Sequence, residues 1–251
     1  MSNDLSGVLD RRQRQTFAEL GYVVVPRVVS QSATDAARRA VAHLVTQESP
    51  PAGHSGPYFY NVPGAPPEHL RALLCDGLPQ ATAAALIAPG RFDAPEQIQV
   101  SLNIPPFDHR PGGPHVDGLA PPEASGRPGT FTLLAGVFLT DQTGEDMGNL
   151  WVWPGSHLSA ARYLRERGAE ALISCAPYPP VELGAPRQVR GRAGDLLLAH
   201  YLLGHNIGGN TSATVREVVY LRLRRAGHRA RWQDCVRDPL LEFEPVRAAS
   251  Q

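Results

Sequence analysis

From about residue 96 to about residue 224 the chain is a succession of short β-rich runs: Gln97–Ile104, Thr130–Leu139, Leu150–Trp153, Asp195–His200 and Val215–Leu223. Clusters of Gly, Pro, Asn and Asp separate them. Short strands at that spacing, broken by turn residues, predict a sandwich or barrel. The chain has the turn material for it: 24 Gly and 24 Pro in 251 residues, nearly a fifth against a typical ~12%. That excess stays below the level that marks disorder.

The first third reads differently. Asp10 is placed to cap a helix running to about Leu20, with Gly21 as its stop, and Tyr22–Val25 before Pro26 predicts a strand. Ser30 or Ser32 opens a second helix with Ala37, Val41 and Leu44 on one face. Residues 48–66 are rich in Pro and Gly, and two shorter helices are expected at Glu68–Cys75 and Gln80–Ile87. Another is expected at Arg162–Ala169, outside the β core. The expectation is one α+β domain over residues 1–251: a helical flank to about 95, a β core from about 96 to 224, and a C-terminal extension over 225–251.

Composition excludes several function classes. All 24 basic residues are Arg, balanced by 24 acidic ones, so P-loop and Schiff-base lysine chemistry are absent. A carboxylate that needs a charged grip must take it from Arg. With no basic excess, neither nucleic acid nor a membrane surface is an expected partner. Cys75, Cys175 and Cys235 are widely spaced and without a CxxC pair, which reads as free thiols in a reducing compartment. The opening MSNDLSGVLDRRQRQ lacks the apolar core of a signal peptide and no apolar run nears 18 residues, so a cytoplasmic protein is expected.

Two segments carry chemistry. In Pro114-His115-Val116-Asp117-Gly118, an extended backbone would put His115 and Asp117 on one face, an imidazole and a carboxylate of the kind that hold non-heme iron. Farther on, Gly194-Asp195-Leu-Leu-Leu-Ala-His200 enters a strand, Leu203-Gly204-His205-Asn206 follows, and Gly208–Ser212 turns the chain into Val215-Arg216. His205 and Arg216 lie at similar distances from Asn210, so a hairpin there would set them roughly opposite each other. A guanidinium so placed suits a ligand carboxylate.

These segments, in order, resemble the phytanoyl-CoA dioxygenase family, Fe(II)/2-oxoglutarate oxygenases built on a double-stranded β-helix. Phe17–Pro26 resembles the family's start, HVD at 115–117 its proximal ligand pair, Gly148–His157 its PGSH segment, and GDLLLAHYLLGHNIGGNTS with Arg216 its distal histidine and oxoglutarate arginine. The resemblance runs over residues 15–224. It implies a jelly-roll, cupin-like core with flanking N-terminal helices. It implies His115, Asp117 and His205 as iron ligands and catalytic residues, Arg216 as the partner of the distal carboxylate of 2-oxoglutarate, and O2 as oxidant. His200 is the rival third ligand; the eleven-residue interval to Arg216 favours His205, leaving His200 as a packed histidine. Ile207 stands where the family often has Ser, and Asn149 follows Gly148 in place of the usual order.

The resemblance further implies oxidation with release of succinate and CO2, most simply hydroxylation of a small metabolite or natural-product intermediate, with secondary metabolism as the expected setting. Desaturation, epimerisation and cyclisation use the same ligands, and Asp117 argues against halogenation. A cupin-like metal isomerase working without oxygen is the rival reading, which Arg216 disfavours. Among other residues, Gln97, Gln99, Ser101 and Asn103 share a strand face; if it lines the barrel interior, Gln99 and Asn103 become candidate cosubstrate contacts. Trp151 and Trp153 read as core and His157 as a structural hydrogen-bonding residue. Tyr58-Phe59-Tyr60 would be either a lid or tucked loop aromatics, and His109, Arg187, Arg190 and Arg192 read as surface. The sequence does not specify an oligomeric state.

Overall fold

The computed structural model describes residues 8–63, 67–75, 77–119, 123 and 125–250; the first seven residues of the opening segment lie outside them. Among the described residues, nine strands form two antiparallel sheets. They are β1 (Tyr22–Val25), β2 (Gly56–Pro63), β3 (Gln97–Ile104), β4 (Leu133–Phe138), β5 (Leu150–Val152), β6 (Arg187–Gln188), β7 (Leu196–His200), β8 (His205–Ile207) and β9 (Arg216–Leu223). The larger sheet has the order β1-β7-β4-β9-β3-β2 and the smaller the order β6-β5-β8. Together they make the expected double-stranded β-helix.

Both faces of the larger sheet are covered, which is why its central strands read as unbroken apolar runs rather than alternating ones. One face carries Ile98, Val100 and Leu102 of β3, Leu133, Ala135 and Val137 of β4, and Val219, Leu221 and Leu223 of β9. It packs on the helical flank through Phe17, Ala37, Val41, Leu70 and Leu86. The opposite face turns Leu134, Phe138, Leu197, Val218 and Tyr220 toward Leu150 and Val152 of the smaller sheet. A one-residue slip of β9 would bury Arg216 and Arg222 among the helices and turn Val219 and Leu221 into the cavity, so its register is strongly fixed.

The flank comprises α1 (Arg11–Leu20), α2 (Gln31–Gln47), α3 (Glu68–Cys75) and α4 (Gly77–Ile87). Asp10 and Gln13 bond each other's backbone N–H across the first turn of α1, and Ser30 accepts from Ala33 N–H at the start of α2. Beyond the core strands lie α5 (Ser156–Arg167), α6 (Ala171–Ser174), α7 (His228–Arg237) and α8 (Glu244–Ala249). The helix expected at 162–169 therefore starts six residues earlier, directly after Pro154-Gly155. Most of the C-terminal extension is helical: α7 packs on α5, and α8 packs on α1 and α4.

Two readings need correction. The Pro/Gly-rich stretch at 48–66 contains an edge strand, β2, whose eight residues pair with β3 from Gly56↔Ile104 to Pro63↔Gln97. Pro57 and Pro63 are tolerated because β2 is an edge, where an N–H can go unpaired. The segments carrying His205 and Arg216 do not form a hairpin. β8 pairs with β5 in the smaller sheet and β9 with β3 and β4 in the larger. Asn210 holds the crossing by donating to the carbonyls of Asn103 and Thr214.

Candidate active site

A cavity of about 270 Å³ lies between the sheets, lined among others by His115, Asp117, His205, Arg216, Arg222, Gln99, Ser101 and Tyr220. His205 comes from β8. His115 is joined to it by reciprocal backbone hydrogen bonds, His115 N–H to His205 O at 2.9 Å and His205 N–H to His115 O at 3.2 Å. That bridge sets the two imidazoles side by side, with ring centres 4.5 Å apart. Val116, between His115 and Asp117, is buried in the core, and Asp117, on the turn that follows, faces the cavity again.

The donor atoms converge. Nε2 of His115 lies 3.6 Å, and Nε2 of His205 3.7 Å, from Oδ1 of Asp117. Both distances exceed a good hydrogen bond. His205 Nδ1 donates to the Leu203 carbonyl at 3.0 Å, which leaves Nε2 as the lone-pair nitrogen facing a carboxylate oxygen. Two acceptors pointed at each other call for a cation between them, a proton or a metal ion, and two imidazoles with a carboxylate are a donor set suited to Fe(II). Burial alone would raise the Asp117 carboxyl and lower His205. Their mutual attraction outweighs it, with His115 and Arg222 also favouring the ionised carboxylate: Asp117 is held well below the ordinary range and His205 is raised.

Arg216 sits in β9 beside Asn103 of β3 and is 4% exposed. Its Nε donates to Gln142 Oε1 at 3.3 Å, Nη1 to Ser101 Oγ at 2.9 Å and Nη2 to the Tyr220 hydroxyl at 2.6 Å. All three acceptors are neutral, and among the described residues no carboxylate reaches this guanidinium. Gly148 makes room for it: a Cβ there would stand 2.8 Å from Arg216 Cβ and 3.0 Å from Asn103 Cβ. Asn149, in the altered order after that glycine, donates to the carbonyls of Gln142, Gly144 and Val189. It thereby fixes the loop that supplies Gln142.

The other residues singled out divide clearly. The polar face of β3 does look inward: Gln99 and Ser101 line the cavity, with Gln99 Nε2 donating to Asn61 at 3.0 Å. Asn103 is buried just beyond, where its Nδ2 donates to the Gly208 carbonyl. Of the aromatic trio, Phe59 lines the cavity mouth, whereas Tyr58 and Tyr60 pack toward the helices. His200 is buried outside the cavity, with Nε2 donating to Pro239 O and Nδ1 accepting from Leu202 N–H, so neither nitrogen is left for a metal. His157 donates through Nε2 to the Ala18 carbonyl, and burial pushes it down to about 4. Trp153 is buried, Trp151 packs beside Gly208, and His109 is exposed and stacks on Phe107.

Sequence reasoning missed Tyr220 and Arg222, though both share the β9 face of Arg216 at period two. Gln142 gave no signal, since it reaches the site from an irregular loop. A second cluster, His228, Cys235 and Glu242, has metal-ligand composition, but both His228 nitrogens and one Glu242 oxygen are already bonded. Glu242 Oε2 accepts from Thr132 and His228, and the other His228 nitrogen pairs with Thr130. Burial and Glu242 push the Cys235 thiol up to about 12, so it stays protonated and ligates poorly.

The sequence model of the phytanoyl-CoA dioxygenase (PhyH) family matches residues 17–218. The chain belongs to that family. PhyH proteins are non-heme iron, 2-oxoglutarate-dependent enzymes. None of the curated proteins matches the chain in sequence. Among solved structures, the carbocyclase SnoK from nogalamycin biosynthesis superposes with TM-score 0.58 at 24% identity, over 85% of this chain and 84% of that one. The epimerase SnoN from the same biosynthesis gives 0.59 at 23%, over 88% and 84%. HygX from Streptomyces hygroscopicus, solved with nickel and 2-oxoglutarate, gives 0.57 at 19%, over 85% and 86%. At these identities the likeness speaks for the fold. No helix among the described residues is long and apolar enough to cross a membrane.

Proposed function

We propose that this PhyH protein is an Fe(II)/2-oxoglutarate-dependent oxygenase acting on a small natural-product intermediate. One observation carries the reading: a buried Arg216 with no carboxylate partner among the described residues opens on the same cavity as three converging metal donors. A desolvated, anion-free guanidinium is costly unless a ligand supplies the missing charge.

His115, Asp117 and His205 would hold the iron, which, once bound, supplies the redox chemistry that couples O2-driven decarboxylation of 2-oxoglutarate to substrate oxidation. Arg216 receives the distal carboxylate of the cosubstrate, and Ser101, Gln142 and Tyr220 keep its guanidinium in one plane for that contact. Phe59, Leu134, Leu150 and Ile207 supply an apolar wall that limits water around the reacting groups. Ile207, in place of a hydroxyl, adds to that wall rather than to cosubstrate binding.

Hydroxylation is the simplest outcome. Cyclisation or epimerisation is the second reading, supported by two structural neighbours that are a carbocyclase and an epimerase. The metal-isomerase reading leaves Arg216 without a purpose. The test is an anaerobic titration of apoprotein with Fe(II) and then 2-oxoglutarate, following the visible charge-transfer band of the chelate. A band in wild type that is absent from His205→Ala supports the proposal; iron binding without a band refutes it.

A further inference from the structure

Arg222 lies on the cavity face of β9, six residues beyond Arg216 and beside Leu134 of β4. Its Nε donates to Asp117 Oδ2 at 3.0 Å, and its Nη2 makes an ion-pair contact with the same oxygen at 2.9 Å. The other oxygen, Oδ1, is the one turned toward the two imidazoles. The two oxygens of the carboxylate are thus assigned different partners. Asp117 sits on a turn rather than in a strand, and among the described residues the shortest side-chain contacts to this carboxylate come from Arg222.

We propose that Arg222 is a positioning residue that restricts Asp117 to offering the metal a single oxygen. This rests on the proposed iron site. Two imidazole nitrogens and one carboxylate oxygen would supply three of the six ligands that such an ion accepts. Three places would then be left for a chelating 2-oxo acid and oxygen. A carboxylate that rotated to give both oxygens would consume one of them. The guanidinium prevents this by setting two nitrogens of its planar fork against one oxygen, which the compact ammonium of Lys cannot do with the same geometry. Outer partners of metal ligands act in this way, and their loss typically costs ~10–100-fold in affinity or activity.

The experiment uses the Co(II)-substituted protein without cosubstrate, and then the Fe(II) protein titrated anaerobically with 2-oxoglutarate. Variants are Arg222→Met, which keeps much of the packing, and Arg222→Lys, which keeps the charge. Both are checked for cooperative thermal unfolding. The expected result is that Arg222→Met still binds Co(II) but shows a changed ligand-field spectrum before any 2-oxo acid is added. At saturating metal its 2-oxoglutarate affinity falls roughly 10–100-fold, and Arg222→Lys lies between it and wild type. If Arg222 merely touched the cosubstrate, the Co(II) spectrum would not change, and that result overturns the inference. So does a spectrum and affinity matching wild type in Arg222→Met. Should Arg222→Met fail to unfold cooperatively, Arg222→Lys decides by the same two readouts. A wild-type protein that binds no metal overturns the iron-site reading itself, and this inference with it.

Discussion

Replacing Arg216 with Met separates a cosubstrate arginine from a structural one, because the two roles predict opposite changes in the empty protein. The guanidinium is 4% exposed and its three bonds all go to neutral oxygens. In the ligand-free state it is a desolvated charge with partial compensation, and an apolar side chain of similar length should be tolerated or even stabilising. In the bound state it loses a buried charge-assisted pair, worth about 2–5 kcal/mol. At ~1.4 kcal/mol per tenfold, that weakens 2-oxoglutarate by roughly 30-fold to several thousand-fold. Thermal unfolding with and without 2-oxoglutarate, at fixed metal, measures both effects. Ligand at 100 times its Kd should stabilise wild type by ~2.7 kcal/mol, while at the same concentration Arg216→Met should gain little. A variant that loses stability when empty yet keeps the ligand-induced shift would refute the reasoning, because Arg216 would then be a structural bond donor.

The remaining predictions test the neighbours of that site. His205→Ala should abolish metal binding by calorimetry, while His200→Ala should retain it and lose roughly 2–4 kcal/mol of stability, since a packed ring with two internal bonds is removed; the reverse pattern would reassign the third ligand. A Cβ on Gly136 would stand 2.5 Å from Tyr220 Cε1, so Gly136→Ala should displace the ring that braces Arg216 and weaken 2-oxoglutarate more than metal; equal weakening of both would refute that route. His157 is neutral in the fold down to about pH 4, while its unfolded form takes a proton near 6.5. Its contribution is therefore intact above pH 6.5 and is lost as pH falls from there toward 4. Between pH 7 and 5.5 this amounts to about 1 kcal/mol. His157→Gln should flatten the pH dependence of denaturant-derived stability by about that much, and an unchanged slope would show that the ring does not titrate differently on unfolding.

What was legible in the sequence was local. The caps of α1 and α2 are short-range bonds between named residues, and the β core betrays itself through apolar runs cut by turn residues. The ligand candidates could be read because His115 and Asp117 are two residues apart, and because the motif segment brings His205 and Arg216 within eleven. The relation between those last two was misread: equal distance from Asn210 suggested a hairpin, but the chain uses the turn to cross between sheets, and no local pattern distinguishes a crossing from a return. Likewise β2 was hidden by its prolines, which an edge strand tolerates and a central strand does not. Gln142 and Asn149 were invisible as site residues for the same reason: their roles depend on which loop lies beneath Arg216.

The site also divides its work between rigid and adjustable parts of the fold. Along β9 the inward row runs Arg216, Val218, Tyr220, Arg222; pairing with β3 from Arg216 to Tyr220 and with β4 from Val218 through Arg222 fixes where these side chains point. One strand thus sets the arginine proposed for the cosubstrate, the phenol that braces it and the guanidinium that holds Asp117. A slip would disable all three together, which couples this half of the site to the stability of the whole sheet. The opposite wall is made differently: Phe59 belongs to an edge strand, and Leu150 and Ile207 to three-residue strands of the smaller sheet. Phe59 can change size or polarity without moving β9, whereas Ile207 shares β8 with His205 and Leu150 pairs with Ile207. Cyclisation, epimerisation and hydroxylation differ in which substrate atom faces the reacting centre, so under the proposed function this second wall would select among them, while the β9 row would serve every outcome alike.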